Sequence, residues 1–445
     1  MKLTIIGGGP GGYETAVEAV RRGVDVTLVT EGPLGGTCLN EGCIPTKALC
    51  RAAALVDEIR SAGEFGIEAS CSIDFQKVMA RKDAVVAQLQ QGIELLLKKV
   101  QVIRGKASLK DGHTVVVNGQ ELVSDAILLA TGSLSASLPI EGAEYCVSST
   151  EMLSLSEPPK RLAVIGGGVI GLEFASLYRS FGSEVTVLEF CKTILPRFDE
   201  DIAKRLKQSL SKRGISIETS ASVQAVVRKG DAYEVRYQQK DKSFSVEADL
   251  VLMAVGRRPN LGSLNLDEMG IAYTRHGVSV NSYMQTSIPS VYAVGDLTGG
   301  MMLAHAATFQ GRRALNHLLA GQPAEGAVDK IDLSVIPAAV FTVPEAAMVG
   351  LTEADCSGRS ICCLKSFFRA NGKAVAMGET DGICKLIVDK ESGRILGCHL
   401  FGPHSADLVQ EVSALMTKKA TLEEFQAVIH AHPTLGEVVQ AAANA

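Results

Sequence analysis

The chain has 445 residues, of which 46% are hydrophobic and 21% are charged. This length exceeds what one hydrophobic core supports, so we expect several domains. A net charge of −5 without basic runs argues against nucleic acid as a partner, and no apolar segment approaches the ~20 residues that span a membrane. The chain opens directly on a predicted strand, without a signal or transit peptide, and its 11 cysteines are scattered. Both features favour a reducing, cytoplasmic compartment.

The first predicted strand runs into a glycine-rich turn and a helix, in LTIIGGGPGGYETA. The pattern G-x-G-x-x-G, followed by the β-branched strand VDVTLVT, predicts a dinucleotide-binding βαβ unit. Gly7 permits the tight turn, Gly9 lets the backbone approach a pyrophosphate, and Gly12 lets the helix pack on the strand. At the end of the second strand we expect Glu31 to bind a ribose, with Thr30 as the alternative.

Two cysteines, Cys38 and Cys43, follow within GGTCLNEGCIPTK. So close a pair is a structural disulfide, half of a metal site or a redox-active pair. On a regular helix its spacing gives ~7.5 Å of rise, whereas the Cα atoms of a disulfide lie roughly 4.4–6.8 Å apart. A bond therefore needs a distorted turn, which Gly42 and Pro45 can provide, and a distorted bond is reducible. Because the sequence lacks a second pair at zinc-site spacing, we expect a redox-active pair and no metal.

A second glycine motif, LAVIGGGVIGLEFA, repeats the arrangement of the first. Gly166, Gly168 and Gly171 take the same three places, and two such units together predict two dinucleotide-binding domains. Glu189, at the end of the following strand, is placed to accept from a ribose 2′-hydroxyl and would repel a 2′-phosphate, so this site should prefer NAD over NADP.

Three more buried strands, AILLATGS, VLMAVGRRPN and SVYAVGDLTGG, each run into a glycine. Ligands of open α/β sheets bind at the carboxyl ends of strands, which makes these ends candidate cofactor contacts: Thr131, Gly132, Gly256 and Asp296. A helix ending at Gly321 follows. Beyond it, alternating strands and two helical patterns predict an α+β domain: AAVFTV, SICCLKSFF, ICKLIVD, RILGCHLFG, HSADLVQEVSALMTKK and LEEFQAVI.

Together these motifs resemble the flavin-dependent pyridine-nucleotide disulfide oxidoreductases across essentially the whole chain. GGTCLNEGCIPTK is similar to the active-site signature of that family, and three later segments also resemble it: VTVLEFCKTILPRFDEDI, FTVPEAAMVGLTE and IHAHPTLGE. The resemblance implies an α/β homodimer with two Rossmann-like domains, for FAD and NAD, and a C-terminal α+β dimerisation domain. The expected boundaries are 1–145 (FAD, first part), 146–258 (NAD), 259–329 (FAD and central, second part) and 330–445 (interface).

The resemblance also implies roles for single residues. Cys38 resembles the thiol that exchanges with substrate sulfur, and Cys43 the thiolate that faces the flavin. His432 matches the base, taken from the partner chain, and Glu437 the carboxylate that orients it. This agrees with thiol chemistry, because a dithiol substrate needs a nearby base and histidine suits neutral pH. We expect His430 to be a structural support.

Two further expectations concern the flavin. Lys47 and Glu173 resemble an ion pair beside flavin N5, and Asp296 resembles the acid that binds the ribityl chain.

Two departures from the family pattern remain unexplained by the sequence: the acidic Glu41 between the cysteines, and LAHAATFQG, which lacks an acidic stretch.

The members of the family that the chain most resembles oxidise dihydrolipoamide and reduce NAD⁺. The expected partners are therefore lipoyl carrier domains of a 2-oxo acid dehydrogenase or glycine cleavage type complex. One alternative is a glutathione-type reductase that consumes NADPH, which Glu189 and HAHPTLGE disfavour. Another is a non-catalytic flavoprotein docking subunit, which the retained cysteines, His432 and glycine loops disfavour.

Overall fold

A computed structural model describes residues 1–323, 326 and 328–445. Its strands, numbered in chain order, are β1 Lys2–Ile6, β2 Asp25–Thr30, β3 Gln101–Arg104, β4 Ala107–Leu109, β5 Thr114–Val117, β6 Gln120–Val123, β7 Ala126–Leu129, β8 Ser133–Ser135, β9 Arg161–Ile165, β10 Glu184–Glu189, β11 Ile215–Thr219, β12 Ser222–Lys229, β13 Ala232–Gln239, β14 Lys242–Ala248, β15 Leu250–Met253, β16 Arg257–Pro259, β17 Tyr273–Thr274, β18 Gly277–Val278, β19 Val291–Ala293, β20 Ala338–Val340, β21 Glu345–Gly350, β22 Ile361–Phe367, β23 Ile383–Asp389 and β24 Ile395–Gly402.

The α-helices are α1 Pro10–Arg21, α2 Gly36–Asn40, α3 Cys43–Ser61, α4 Phe75–Leu96, α5 Ser149–Met152, α6 Val169–Ser180, α7 Glu200–Lys212, α8 Leu266–Met269, α9 Ala304–Leu319, α10 Gly372–Met377, α11 Ser405–Thr417, α12 Leu422–Gln426 and α13 Glu437–Ala443. None of the helices in the described part of the chain has the length and apolar character needed to cross a membrane.

The chain divides into two compact units. The first comprises Met1–Ala48, Met79–Ala136 and Gly256–Leu333, and the second comprises Leu49–Val78, Ser137–Val255 and Ser334–Ala445. The four domain boundaries expected from the sequence remain a prediction.

The first unit is built on a parallel sheet in the order β19-β7-β1-β2-β3. Strand β1 lies between β2 and β7, with Ile6 in register with Val29 on one side and Leu129 on the other. These strands are short apolar runs because both faces of a parallel sheet are covered. Helices α1 and α9 pack against each other, and the first glycine motif begins where β1 ends.

The second unit contains a parallel sheet in the order β11-β10-β9-β15. Strand β9 lies between β10 and β15, so it repeats the place of β1 in the first unit. The second glycine motif begins where β9 ends. The predicted α/β fold with two repeated nucleotide-binding sheets is therefore confirmed.

The second unit also contains an antiparallel sheet in the order β20-β21-β24-β23-β22. Its core includes buried residues of α11 and α13, among them Val409, Val412 and Val439. The strand predicted over AAVFTV is shorter than expected, because β20 ends at Val340 and β21 begins only after Pro344. Val340 pairs with Ala346 in an antiparallel hairpin, so the residues after Val340 form its turn, and the amides of Phe341 and Val343 donate to side chains instead of to a strand.

Candidate active site

The first glycine turn is shaped by two close backbone approaches. A Cβ atom on Gly7, whose φ is +121°, would lie 2.1 Å from the carbonyl oxygen of Ala130, and one on Gly12 would lie 1.9 Å from that of Gly7. A Cβ on Gly9 would lie 3.9 Å from Gly36 Cα, an ordinary contact. Helix α1 begins directly after Gly9, so its positive dipole end faces this turn, as a pyrophosphate site requires.

The second glycine turn has the same geometry. A Cβ on Gly166, whose φ is +111°, would lie 2.4 Å from the carbonyl oxygen of Ala254, and one on Gly171 would lie 2.0 Å from that of Gly166. Within the described residues, a Cβ on Gly168 would find no heavy atom within 4 Å. Helix α6 begins directly after Gly168. Both turns therefore fit a dinucleotide pyrophosphate.

The two turns differ in the residue that ends the second strand. Glu189 is 7% exposed, and its carboxylate accepts hydrogen bonds from the amides of Gly167 (2.5 Å) and Cys191 (2.6 Å). In the first unit this position belongs to Thr30, since Gly8 and Thr30 meet as Gly167 and Glu189 do.

Glu31 is exposed and lies one residue beyond β2, whereas Thr30 is buried and donates to the carbonyl of Gly32 at 3.0 Å. Strand β2 ends at Thr30, whereas β10 ends at Glu189. Glu31 therefore lies one residue beyond the position that corresponds to Glu189. Thr30, the alternative, holds the equivalent position, and a ribose contact by Glu31 remains a prediction.

The cysteine pair lies at a junction between two helices. Cys38 is in the short helix α2, Cys43 is the first residue of α3, and the break falls at Glu41 and Gly42. A Cβ on Gly42 would lie 3.0 Å from the carbonyl oxygen of Thr37, so the tight turn favours glycine. Glu41 is exposed at this turn, which places its charge in solvent.

The two thiols contact each other. The hydrogen bond to Cys43, together with burial, raises the pKa of the Cys38 thiol far above its usual range, and the nearby Lys47 ammonium opposes the shift. Because α3 begins at Cys43, its dipole favours negative charge on that sulfur.

The loop that carries Cys38 packs on the first glycine turn. The amide of Gly35, whose φ is +93°, donates to the carbonyl of Gly8 at 2.8 Å. A Cβ on Gly36 would lie 2.6 Å from Gly9 Cα. The structure therefore brings the cysteine pair and the first predicted nucleotide site together within one unit.

Asp296 lies just after β19, beside two residues that the sequence did not single out. The Ser133 hydroxyl donates to the Asp296 carboxylate. Arg257 donates to the Ser133 hydroxyl at 2.7 Å and to its carbonyl at 2.8 Å, and lies 4.0 Å from Asp296. Ser133 and Arg257 lie in the predicted strand segments AILLATGS and VLMAVGRRPN. Their positions at the ends of these strands could have indicated them as site residues. In the segment LAHAATFQG, the Gln310 side-chain oxygen accepts from the amide of Gly295 at 2.7 Å; the lack of an acidic stretch in this segment has no structural explanation.

The remaining candidate contacts of the first unit lie in the same loops. Thr131 donates from its hydroxyl to the carbonyl of Asn260 at 2.9 Å. The carbonyl of Gly132 accepts from the amide of Asn260 at 2.9 Å, and that of Gly256 accepts from the amide of Ala136 at 3.0 Å. These bonds hold the ends of β7 and β16 together near Asp296.

The second unit brings His432 and Glu437 together. His432 Nδ1 lies 2.9 Å from Glu437 Oε1, and the amide of Thr434 donates to Glu437 Oε2 at 2.8 Å. The Thr434 amide, followed by His432, lowers the pKa of the Glu437 carboxyl, so it stays ionised at neutral pH. The His432 side chain is 79% exposed, with Nε2 as the ring nitrogen not bound to the carboxylate.

His430 differs from His432 in its surroundings. Its side chain is 7% exposed, its Nε2 lies 2.9 Å from Glu411, and its ring packs against Phe425 at a centroid distance of 5.8 Å. These contacts agree with the expected supporting role.

Lys47 and Glu173 fall in different units. Glu173 is buried in α6 and accepts from the amide of Phe341 at 3.0 Å. Lys47 lies one turn after Cys43 in α3. Their expected ion pair remains a prediction. In the described ranges, no group of three or more His, Cys, Asp or Glu residues is arranged to hold a metal ion.

A dithiol packed on one nucleotide-type glycine turn, and a second turn of the same kind, are the parts of a nucleotide-dependent disulfide oxidoreductase. Residues 1–311 match the family described as pyridine nucleotide-disulphide oxidoreductase, and residues 336–443 match its dimerisation domain. The chain belongs to this family. FAD and NAD are the cofactors of the family and of this chain.

The chain is similar to named relatives over nearly its full length. It is 39% identical to a dihydrolipoyl dehydrogenase of Bacillus subtilis, covering 99% of this chain and 98% of the relative. It is 40% identical to the dihydrolipoyl dehydrogenase of Geobacillus stearothermophilus, covering 99% and 95%. Among solved structures, the HOCl-induced flavoprotein disulfide reductase RclA from Escherichia coli matches with 30% identity and a TM-score of 0.86, covering 100% and 98%. Its Cu(II) complex matches with 30% identity and a TM-score of 0.85, covering 98% of both chains.

Proposed function

We propose that the chain is a dihydrolipoyl dehydrogenase, which oxidises protein-bound dihydrolipoamide to lipoamide and reduces NAD⁺ to NADH. The observation that carries the proposal is the Cys38–Cys43 pair held against the first glycine turn. The relatives named dihydrolipoyl dehydrogenase, at 39–40% identity, support this choice of substrate.

The residues present fit both cofactors. FAD would bind at the first glycine turn, with Asp296 at its ribityl chain, and NAD at the second turn, with Glu189 on its ribose. When bound, FAD supplies two-electron transfer between the dithiol and NAD⁺.

The chain's own residues would perform the thiol exchange. His432 takes the proton of one substrate thiol, and the resulting thiolate attacks Cys38 in the Cys38–Cys43 disulfide. The disulfide breaks, a mixed disulfide forms on Cys38, and Cys43 leaves as a thiolate. The second substrate thiol then attacks the substrate sulfur of the mixed disulfide. The bond to Cys38 breaks as the S–S bond of lipoamide forms, and Cys38 takes up the second substrate proton as a thiol. Glu437 would hold the His432 ring with Nε2 toward the substrate.

The surroundings of Cys38 and Cys43 suit the two cysteines to different roles in the exchange. The raised pKa of Cys38 suits a residue that is released as a thiol after exchange. The helix start at Cys43 suits the residue that keeps the negative charge.

We propose that the protein works as a homodimer in the cytoplasm. The match to the dimerisation domain supports the dimer, and the exposed His432 would serve the active site of the partner subunit. Lipoyl carrier domains of a 2-oxo acid dehydrogenase or glycine cleavage type complex would deliver the substrate.

The likeness to RclA favours a second candidate, a reductase of another disulfide. The test compares NAD⁺ reduction by dihydrolipoamide with NADPH-driven reduction of glutathione disulfide, using the purified, yellow protein. Dihydrolipoamide turnover that is faster by at least tenfold would support the proposal. Faster turnover of glutathione disulfide would refute it.

A further inference from the structure

Asn40 is the last residue of helix α2, two residues after Cys38. Both the nitrogen and the oxygen of its side-chain amide form hydrogen bonds. The Nδ2 group donates to the carbonyl of Gly36 at 2.8 Å and to that of Leu34 at 3.1 Å. The Oδ1 atom accepts from Gln90 Nε2 of helix α4 at 2.5 Å. All four residues belong to the first unit.

The two backbone carbonyls fix which way the Asn40 amide points, and Gln90 holds its other end. Because a carbonyl oxygen can only accept, the Nδ2 group must face Leu34 and Gly36, which leaves Oδ1 to accept from Gln90. An aspartate has the same shape but lacks the donor, so at this position its carboxylate would face two carbonyl oxygens. The site therefore requires an amide rather than any polar side chain.

The hydrogen bonds of Asn40 hold a helix that is too short to be stable alone. Helix α2 has five residues, well below the roughly 12 residues that an isolated helix needs in water. Asn40 ties the end of α2 to the segment from Leu34 to Gly36. That segment is itself bonded to the first glycine turn through Gly35 and Gly8. The place of Cys38 therefore depends on this chain of contacts.

We propose that Asn40, held in place by Gln90, is a positioning residue that sets the reduction potential of the Cys38–Cys43 pair. The inference rests on the proposed redox function. Oxidation of the pair forms one S–S bond and releases two electrons and two protons. The disulfide fixes both sulfurs by itself, whereas the dithiol relies on α2 to keep Cys38 beside Cys43. Loosening α2 therefore adds entropy mainly to the reduced pair and makes the disulfide easier to reduce.

The test is a redox titration of the full-length, flavin-loaded protein in buffers of reduced and oxidised dithiothreitol. Each sample is quenched with acid and alkylated, and the mass of the peptide holding both cysteines gives the fraction reduced. Asn40→Asp should shift the equilibrium about tenfold toward the dithiol, which corresponds to ~30 mV. Gln90→Ala should shift it the same way by about threefold. Gln91→Ala, at the exposed neighbouring position in α4, is the matched control and should stay within about twofold.

The possible outcomes separate this inference from the proposed function. If the natural protein does not titrate as a two-electron couple, the redox assignment fails. If it titrates but Asn40→Asp and Gln90→Ala match it while retaining their flavin, the positioning role is refuted. If Asn40→Asp does not fold, Gln90→Ala decides, because it leaves Asn40 and the backbone of α2 in place.

Discussion

Lys385 in β23 is a buried cation whose removal should destabilise the second unit strongly. Its side chain is 2% exposed, and its Nζ lies 2.9 Å from Asp199 Oδ1 and 2.6 Å from Glu353 Oε2. Burial acts to lower the pKa of Lys385, but the hydrogen bonds with Glu353 and Asp199 outweigh it and raise that pKa above its usual value. The ammonium is therefore charged throughout the neutral range.

The expected cost follows from the partner that would be left behind. Asp199 is 2% exposed, so Lys385→Met would leave its carboxylate buried without this cation, at a cost of about 3–5 kcal/mol. Lys365 provides the matched control, since it bonds to Asp201 at 2.8 Å but is much more exposed. Lys365→Met should cost at most about 1 kcal/mol.

Urea unfolding, followed by circular dichroism, measures both effects. Adding Asp199→Asn to Lys385→Met removes the buried charge while keeping an oxygen that can accept from the amide of Asp201, as Asp199 does at 3.1 Å. The double variant should therefore recover about 1–3 kcal/mol relative to Lys385→Met alone. An equal loss in Lys385→Met and Lys365→Met, or no recovery in the double variant, would refute the reasoning.

Four further outcomes are expected. Cys43→Ser should abolish NAD⁺ reduction by dihydrolipoamide while the flavin absorbance is retained; an active variant would contradict the redox role. Glu437→Gln should lower kcat by about 10²–10⁴ through loss of the oriented base, and an unchanged kcat would refute that role. Glu189→Gln should raise the KM for NAD⁺ by about tenfold or more, as expected for a lost charge-assisted hydrogen bond; steady-state kinetics would show an unchanged KM if the assignment is wrong. Hydrogen bonding with Lys365 and Lys385 lowers the pKa of Asp201 from 3.8 to about 2, so its stabilising contribution is complete above pH 3.8 and is lost as the pH falls through 2. Asp201→Asn should therefore lower the urea midpoint more at pH 6 than at pH 3, and equal losses would contradict this.

The local parts of the site could be predicted from the sequence, whereas contacts between distant segments could not. Gly7 and Gly166 were predictable because a turn between strand and helix imposes its own backbone geometry on a few consecutive residues. The hydrogen bonds that hold Asp296 were not, because Ser133 and Arg257 are 124 residues apart and meet only when β8 pairs with β16. The sequence left the choice between Thr30 and Glu31 open for a smaller reason, since a one-residue difference in strand length decides which side chain faces the glycine turn.

Helix α13 begins inside a segment that the sequence indicated only as a functional motif. The segment HPTLGE indicated a histidine and a carboxylate, but Glu437 is also the first residue of α13. A carboxylate in the first turn of a helix is stabilised by the helix dipole, and here it also accepts from the amide of Thr434. The same residue thus begins the helix and holds the His432 ring.

The two glycine turns share a backbone geometry but differ in the side chain that ends the second strand of each unit. Glu189 is anchored by two backbone amides, yet each carboxylate oxygen keeps a further lone pair that can accept from a ribose hydroxyl. Thr30 is neutral and is engaged with Gly32. A carboxylate contact to a ribose at the first turn would therefore have to come from the exposed Glu31, one residue beyond β2. The two turns thus share their backbone geometry and differ in where an acid can lie.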